Sequence, residues 1–396
     1  MWGSEHQVKT ELTKIRGFYL ATGLSGGVFI PYLSLLLVHN QLTSSQIGFV
    51  TSLGMFISVL VQPIWGLTVD RFQITRLTLI VSCAIPAVLA MGYNSHSLIL
   101  LAVISGATAL FSTPQSAIAD TYAVTAAKSA NTSYGTIRCF GSIGFSVGGY
   151  LGGYYLVHYP LSSLWIPYAL LGLAGAAVAF SMPRPAMSIH AGVASSMRSG
   201  LQELLRDRRF IIFLCGCLLV SQTLTAFNTY FALAFKSIGG SLGTTGIAFA
   251  IASATNVPAM LVAAKVMNKY GRERTLVLAS LVYALRWALQ AVFPYPFVAI
   301  SVQVLHGISF GFYYVAAVNY VSGAARKELQ ATGQSLFSMV SGGFAGILGN
   351  LFNGYLLHAG GPALMYGICT LSAVLGVACF WHVSRAMKHS AAEQAI

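Results

Sequence analysis

The chain has 396 residues, 56% hydrophobic and only 8% charged, with a net charge of +13 and a mean hydropathy of +0.72. A soluble globular domain of this length is excluded by such a composition. The positive balance reads as basic loops on one side of a membrane plus contact with anionic lipid, not as nucleic-acid binding. The six cysteines all fall in apolar segments and read as small packing residues rather than disulfides. No metal-ligating cluster, nucleophile–base arrangement or nucleotide loop stands in the sequence, so no enzyme, metal or cofactor is expected.

Residues 1–16 are polar, and no cleavable signal is expected from them. Segments of about 20 apolar residues then recur with short polar breaks, the pattern of transmembrane helices. Twelve are predicted, near 17–38, 45–68, 76–93, 97–123, 132–157, 161–182, 209–236, 244–267, 275–293, 296–321, 330–357 and 362–384. A basic turn follows the second segment, with Asp70, Arg71 and Arg76. The fifth carries Gly144, Gly148 and Gly152 at spacing four, a face for close helix approach. The stretch 183–208 opens Pro183-Arg184-Pro185, then turns polar and amphipathic, and reads as a cytoplasmic linker. It divides an N-terminal six-helix bundle, 1–182, from a C-terminal one, 209–396. Arg138 and Arg286 lie within apolar segments; of the other Lys and Arg, only Lys236 falls in an outside connection. That bias places both termini in the cytoplasm of a multi-pass cytoplasmic-membrane protein.

The chain reads as an internal duplication. An offset of 198, half its length, superposes Asp70-Arg71 on Asn268-Lys269, Arg76 on Arg274, and Gly144 and Gly148 on Gly342 and Gly346. Two six-helix repeats related by an axis along the membrane normal describe a transporter architecture with substrate at the midplane between them.

Ionisable residues inside the apolar segments come in two level pairs. Asp120 and Arg138 each stand nine residues from Ser129, at the break between the fourth and fifth segments. Arg286 and His306 each stand ten residues from Pro296, at the break between the ninth and tenth. If each pair of segments forms a hairpin, each pair of side chains shares one depth. Such groups cost roughly 2.5–3.5 kcal/mol each at bilayer depth and mark function by default. Asn228 and Asn256, fourteen residues either side of Leu242, are candidates for the same cavity or for an interhelical bond. Arg286 has no carboxylate in its own half, which favours an anionic substrate; the alternative is that it bonds carbonyls or water.

The run Gly66-Leu67-Thr68-Val69-Asp70-Arg71-Phe72-Gln73-Ile74-Thr75-Arg76 resembles the cytoplasmic turn motif of the major facilitator superfamily, with Gln73 where the family often has glycine. Asp70, Arg71 and Arg76 are read from it as gating residues. Asp120 with Tyr134-Gly135-Thr136-Ile137-Arg138, and Leu285-Arg286-Trp287 with Gln303-Val304-Leu305-His306, resemble the branch containing lactose permease and the phenylpropionate permeases. In lactose permease the acid and arginine hold the sugar, and a tryptophan seven residues after the arginine stacks on it. Phe145 stands there in this chain. Ser309 replaces the coupling acid after the histidine, and Asn256 replaces a glutamate of the eighth helix.

The resemblance implies an all-α membrane protein of the major facilitator fold, working as a monomer by alternating access. The expected activity is secondary active transport of a small organic solute, by proton-coupled symport. Asp120, Arg138, Phe145, Asn228, Asn256, Arg286 and His306 are the expected substrate contacts, and Asp120 or His306 the proton carrier. An aromatic or other organic acid suits the charge sum. The alternatives are a sugar or nucleoside, or an uncoupled facilitator or exporter.

Overall fold

A computed structural model describes residues 5–132, 134–182, 204–324 and 330–393. Among them every regular element is helical. Ten segments are long and apolar enough to cross a membrane. They are α1 Thr10–His39, α2 Ser44–Val69, α3 Thr75–Asn94, α4 Leu98–Ala127, α6 Leu161–Ser181, α7 Arg208–Asn228, α8 Leu242–Tyr270, α9 Arg272–Val292, α10 Pro296–Ala324, and a continuous Gly333–Arg385. The last leaves helical geometry at Gly360 and Gly361, where φ is −148° and +70°. It therefore holds two spans, α11 (333–359) and α12 (362–385). Helix α5, Gly135–His158, is 24 residues long; its seven glycines and three tyrosines dilute its hydropathy. At 1.5 Å per residue it is still about 36 Å long, enough to cross a bilayer. The twelve predicted spans are thus all present as helices.

The described residues form two compact units. One runs to Met182 and also takes in Gly240–Ser253, the start of α8; the other holds Leu204–Gly239 and everything from Ala254 onward. Most of the predicted linker, 183–203, lies outside the described residues.

The duplication is written in the backbone as well as in the sequence. The first helix of each half breaks at a tyrosine of matching conformation: Tyr32 has φ −106° and ψ −5°, Tyr230 has φ −107° and ψ −10°. These two positions are 198 apart. Each hydroxyl then reaches a backbone carbonyl of its own unit's fifth helix. Tyr32 donates to Gly149 O at 2.6 Å, and Tyr230 to Asn350 O at 2.7 Å. The connections that follow repeat too. Gln41 and Gly239 both have positive φ, 70° and 93°. The next helix opens on a reciprocal side-chain cap in each half, Thr43 with Gln46 and Ser241 with Thr244. The turn after α2 places Gln73 at φ 54°, and its counterpart Gly271 stands at 86°. This explains the family's glycine: the turn needs left-handed backbone, which costs a non-glycine residue about 1 kcal/mol.

Within the N-terminal unit, α1 and α5 cross at backbone distance. A Cβ at Gly144 or Gly148 would collide with the carbonyls of Leu20 and Leu24 on α1. The apolar core below gathers Phe18 and Tyr19 of α1, Leu79 and Cys83 of α3, Ala119, Tyr122 and Ala123 of α4, and Ile137 of α5. Burying Ala119, Tyr122 and Ala123 on that face fixes the rotation of α4. Asp120, about 100° round the helix from Ala119, is left half-exposed.

Candidate substrate-binding site

The α4–α5 hairpin does bring Asp120 and Arg138 together. Arg138 Nε lies 3.6 Å from Asp120 Oδ1, with the two side chains 43% and 39% exposed. Two tyrosines complete the cluster. Tyr19 Oη donates to Asp120 Oδ1 at 2.5 Å, and Tyr134 Oη donates to the same oxygen at 2.9 Å. The Arg138 guanidinium also lies 5.3 Å from the Tyr19 ring centroid, within cation–π range. Space for it is left by Gly141, where a Cβ would stand 2.7 Å from Arg138 Nη1. The result is an ion pair whose charges cancel locally, held on one side and open on the other. It can accept from and donate to hydroxyl groups of a ligand without carrying net charge.

The α9–α10 hairpin likewise brings Arg286 and His306 together, but in a different environment. Arg286 is wholly buried and His306 is 8% exposed. Arg286 Nη1 is 3.0 Å from His306 Nδ1, and Nη2 donates to Gln303 Oε1 at 2.5 Å. Arginine has only donors, so Nδ1 must accept and the imidazole is the neutral tautomer with its proton on Nε2. The guanidinium also sits 4.7 Å from the Phe227 centroid and 4.6 Å from that of Trp287. Trp287 in turn donates Nε1–H to Thr223 Oγ1 at 3.0 Å and stacks on Tyr366 at 5.6 Å. Gln303 is oriented by its own amide, which donates to Ala299 O at 2.7 Å. The charge that lacked a carboxylate in its half therefore has compensation: one amide oxygen, one imidazole nitrogen and two aromatic faces. Only Nε is left without a hydrogen-bond partner.

Backbone geometry changes at this cluster. Val302–Leu305 is 3₁₀ and Gly307–Phe312 is π-helical, with His306 at the junction. Departures of this kind within a helix concentrate at functional positions. The glycines admit a close neighbour: a Cβ at Gly307 would overlap Thr255 O of α8.

The remaining expected contacts are scattered. Phe145 is half-buried, with its ring beside Gly26 of α1. Asn228 is exposed. Asn256 is partly exposed, with its Oδ1 buried and unpaired near Gly311. No hydrogen bond joins Asn228 to Asn256 among the described residues. Of the gating set, the Asp70 side chain lies outside the described residues. Arg71 lies over Phe72 at 5.5 Å and Arg76 over Phe180 at 4.5 Å. Sequence reasoning missed Tyr19 and Phe227, each supplied by a different helix from the pair it supports. Gln303 has no role in the reading from sequence. Its position three residues before His306, on the same helix face, was the available signal.

A family model, that of the MFS_1 like family, matches residues 12–368. The chain belongs to this family. It is accordingly a multi-pass secondary transporter of the major facilitator superfamily and not an enzyme. The maltose permease of Geobacillus stearothermophilus is 29% identical over 90% of this chain and 91% of its own length. The probable 3-phenylpropionic acid transporter of Escherichia coli (strain K12) is 23% identical over 85% of this chain and 89% of its own. The lactose permease of Klebsiella oxytoca is 23% identical over 77% and 78%. These two bear out the branch read from the hairpin motifs. Among solved structures, the nucleoside transporter NupG superposes with a TM-score of 0.80 at 18% identity, covering 95% of this chain and 99% of that one. That likeness shows the fold.

Proposed function

We propose that the protein is a proton-coupled symporter of a neutral, hydroxyl-rich solute, a sugar or a nucleoside, with Asp120 and Arg138 as principal substrate contacts. The observation that carries this reading is the contrast between the two clusters. Asp120 and Arg138 are half-exposed and sum to zero charge. Arg286 is wholly buried and already compensated. Arg286 calls for an anion only if it lacks a partner, and Gln303, His306, Phe227 and Trp287 are its partners. A carboxylate and a guanidinium side by side suit adjacent hydroxyls, one accepting and the other donating. Phe145, of the same unit, is a secondary contact in this reading. Arg286 and His306 are buried and have no substrate contact in this reading.

Uptake into proteoliposomes of maltose, sucrose, uridine and 3-phenylpropionate tests the substrate class. Transport of one of the neutral probes, with 3-phenylpropionate neither carried nor inhibitory, is the expected result. Saturable uptake of the acid alone would restore the acid reading, with Arg138 as the carboxylate's partner.

Asp120 is the proton carrier of this reading. Protonating His306 at Nδ1 would set a donor against Arg286 Nη1, whereas Asp120 can take a proton at the cost of its bond to Arg138. The Lys and Arg bias orients both termini to the cytoplasm. A membrane-impermeant maleimide applied to intact cells should label cysteines at positions 95, 158 and 240 and spare one at 196. Labelling at 196 would invert the topology.

A further inference from the structure

Proline at an interior helix position removes the N–H that would bond the carbonyl four residues earlier, and in a bilayer no water replaces it. Helix α4 has such a position. It is interrupted at Thr113, and Pro114 begins the segment that carries Asp120. The carbonyl left without its helical donor is that of Leu110. It is not left open: Trp65 of α2 donates its indole Nε1–H to Leu110 O at 2.7 Å. A second vacated carbonyl lies nearby. Pro86 sits inside α3, which frees Ser82 O. The side chain next to Pro114, Gln115, points its amide there, at 2.9 Å from Cys83 Sγ and a weaker 3.5 Å from Ser82 O. Two proline-vacated carbonyls on neighbouring helices are thus engaged by side chains from α2 and α4. Asp120 follows Pro114 by six residues, about 9 Å along the helix. Trp65 is part of α2 just ahead of the Gly66–Arg76 turn motif.

We infer that Trp65 is a positioning residue for Asp120: its indole straps α2 to the proline break of α4 and sets the angle at which the Asp120 half-helix meets Tyr19, Tyr134 and Arg138. This rests on the reading of Asp120 as a substrate contact. The strap also links the cytoplasmic turn motif to the binding cluster within one unit, so a shift of α2 would be felt at Asp120. The bond itself is specific. Phenylalanine at 65 would keep the packing and lose the donor. Alanine at 114 would restore the backbone N–H and make the strap unnecessary.

Spin labels at Val103→Cys and Val124→Cys, on either side of the break, report the bend without any ligand. Cys139, Cys215 and Cys379, the native thiols that are not buried, are replaced first. Trp65→Phe should broaden the inter-label distance distribution. Pro114→Ala should give a single longer distance, and Trp65→Phe should add nothing in that background. A Trp65→Phe distribution that superposes on the wild type, or one equally perturbed in both backgrounds, overturns the strap. Proteoliposome uptake, with maltose, uridine and 3-phenylpropionate as probes, tests the consequence. For a carried probe, Trp65→Phe should raise KM about 5-fold, the scale of one hydrogen bond, with the maximal rate little changed. Pro114→Ala should suppress that rise. A fall in maximal rate without a KM change overturns the positioning role. Asp120→Asn in the same assay separates the two claims. If it transports with wild-type KM, the reading of Asp120 itself falls; if it is impaired while Trp65→Phe has no effect, only the strap falls.

Discussion

Asp120→Asn is expected to abolish accumulation of substrate driven by a pH gradient. One oxygen of Asp120 accepts from Tyr19 and Tyr134 and faces Arg138 Nε. An amide keeps the shape and loses the charge, leaving the guanidinium with a tyrosine face and no counterion. Removing one partner of a fully buried ion pair costs about 3–5 kcal/mol. This pair is about two-fifths exposed, so solvent screening brings the figure to the lower end or below. That cost falls on the stability of the N-terminal unit, so the variant should also melt at a lower temperature. Because asparagine cannot take up and release the proton, downhill exchange should survive better than uphill accumulation. Comparing pH-driven uptake with substrate counterflow in the same vesicles reads both. Wild-type accumulation by the variant would remove Asp120 as the proton carrier.

Gln303→Leu is expected to be among the most destabilising single changes in the C-terminal unit. Leucine fills nearly the same volume, so the loss is electrostatic. Arg286 is wholly buried, and Gln303 Oε1 is its shortest polar contact. A hydrogen bond to a charged group contributes about 1.5–3 kcal/mol, and leaving a buried charge short of a partner costs about 3–5 kcal/mol. A drop of roughly 10 °C in apparent melting temperature is the corresponding scale for a unit of this size. The decisive comparison is with Gln303→Leu combined with Arg286→Met. Removing the charge together with its acceptor should recover much of the loss, because an apolar pair needs no compensation. His306 would then keep only its ring contacts, stacked on Phe310 at 5.6 Å. A double variant no more stable than Gln303→Leu would mean that Arg286 is held by something other than this cluster.

The two pairs differ because of what surrounds them, which hairpin arithmetic does not contain. Nine residues on either side of Ser129 and ten on either side of Pro296 were enough to level Asp120 with Arg138 and Arg286 with His306. Rise per residue is a local property, and a short connection forces neighbours to run antiparallel. The offset of 198 was legible for the same reason. Each half repeats a chain of local devices, from the Tyr32 and Tyr230 breaks to the Gln73 and Gly271 turns, and each needs only its own few residues.

Composition and spacing by themselves determined that this chain is a multi-pass membrane protein whose helices recur in two repeats, which family it resembles, and which charged residues fall inside apolar segments. Only the tertiary structure decided which of those charges are buried and which stay exposed. In a helix that is apolar nearly all round, periodicity does not say which face meets which neighbour. Tyr19 meets Asp120 across 101 positions of sequence, and Phe227 comes from α7 to cover Arg286. Along the sequence Arg286 has no carboxylate in the apolar segments of its own half, which favours an anion. In the fold, a glutamine, a neutral histidine and two aromatic faces carry that charge, because a buried guanidinium is stabilised by whatever acceptors and π-faces the packing brings to it, wherever they lie along the chain.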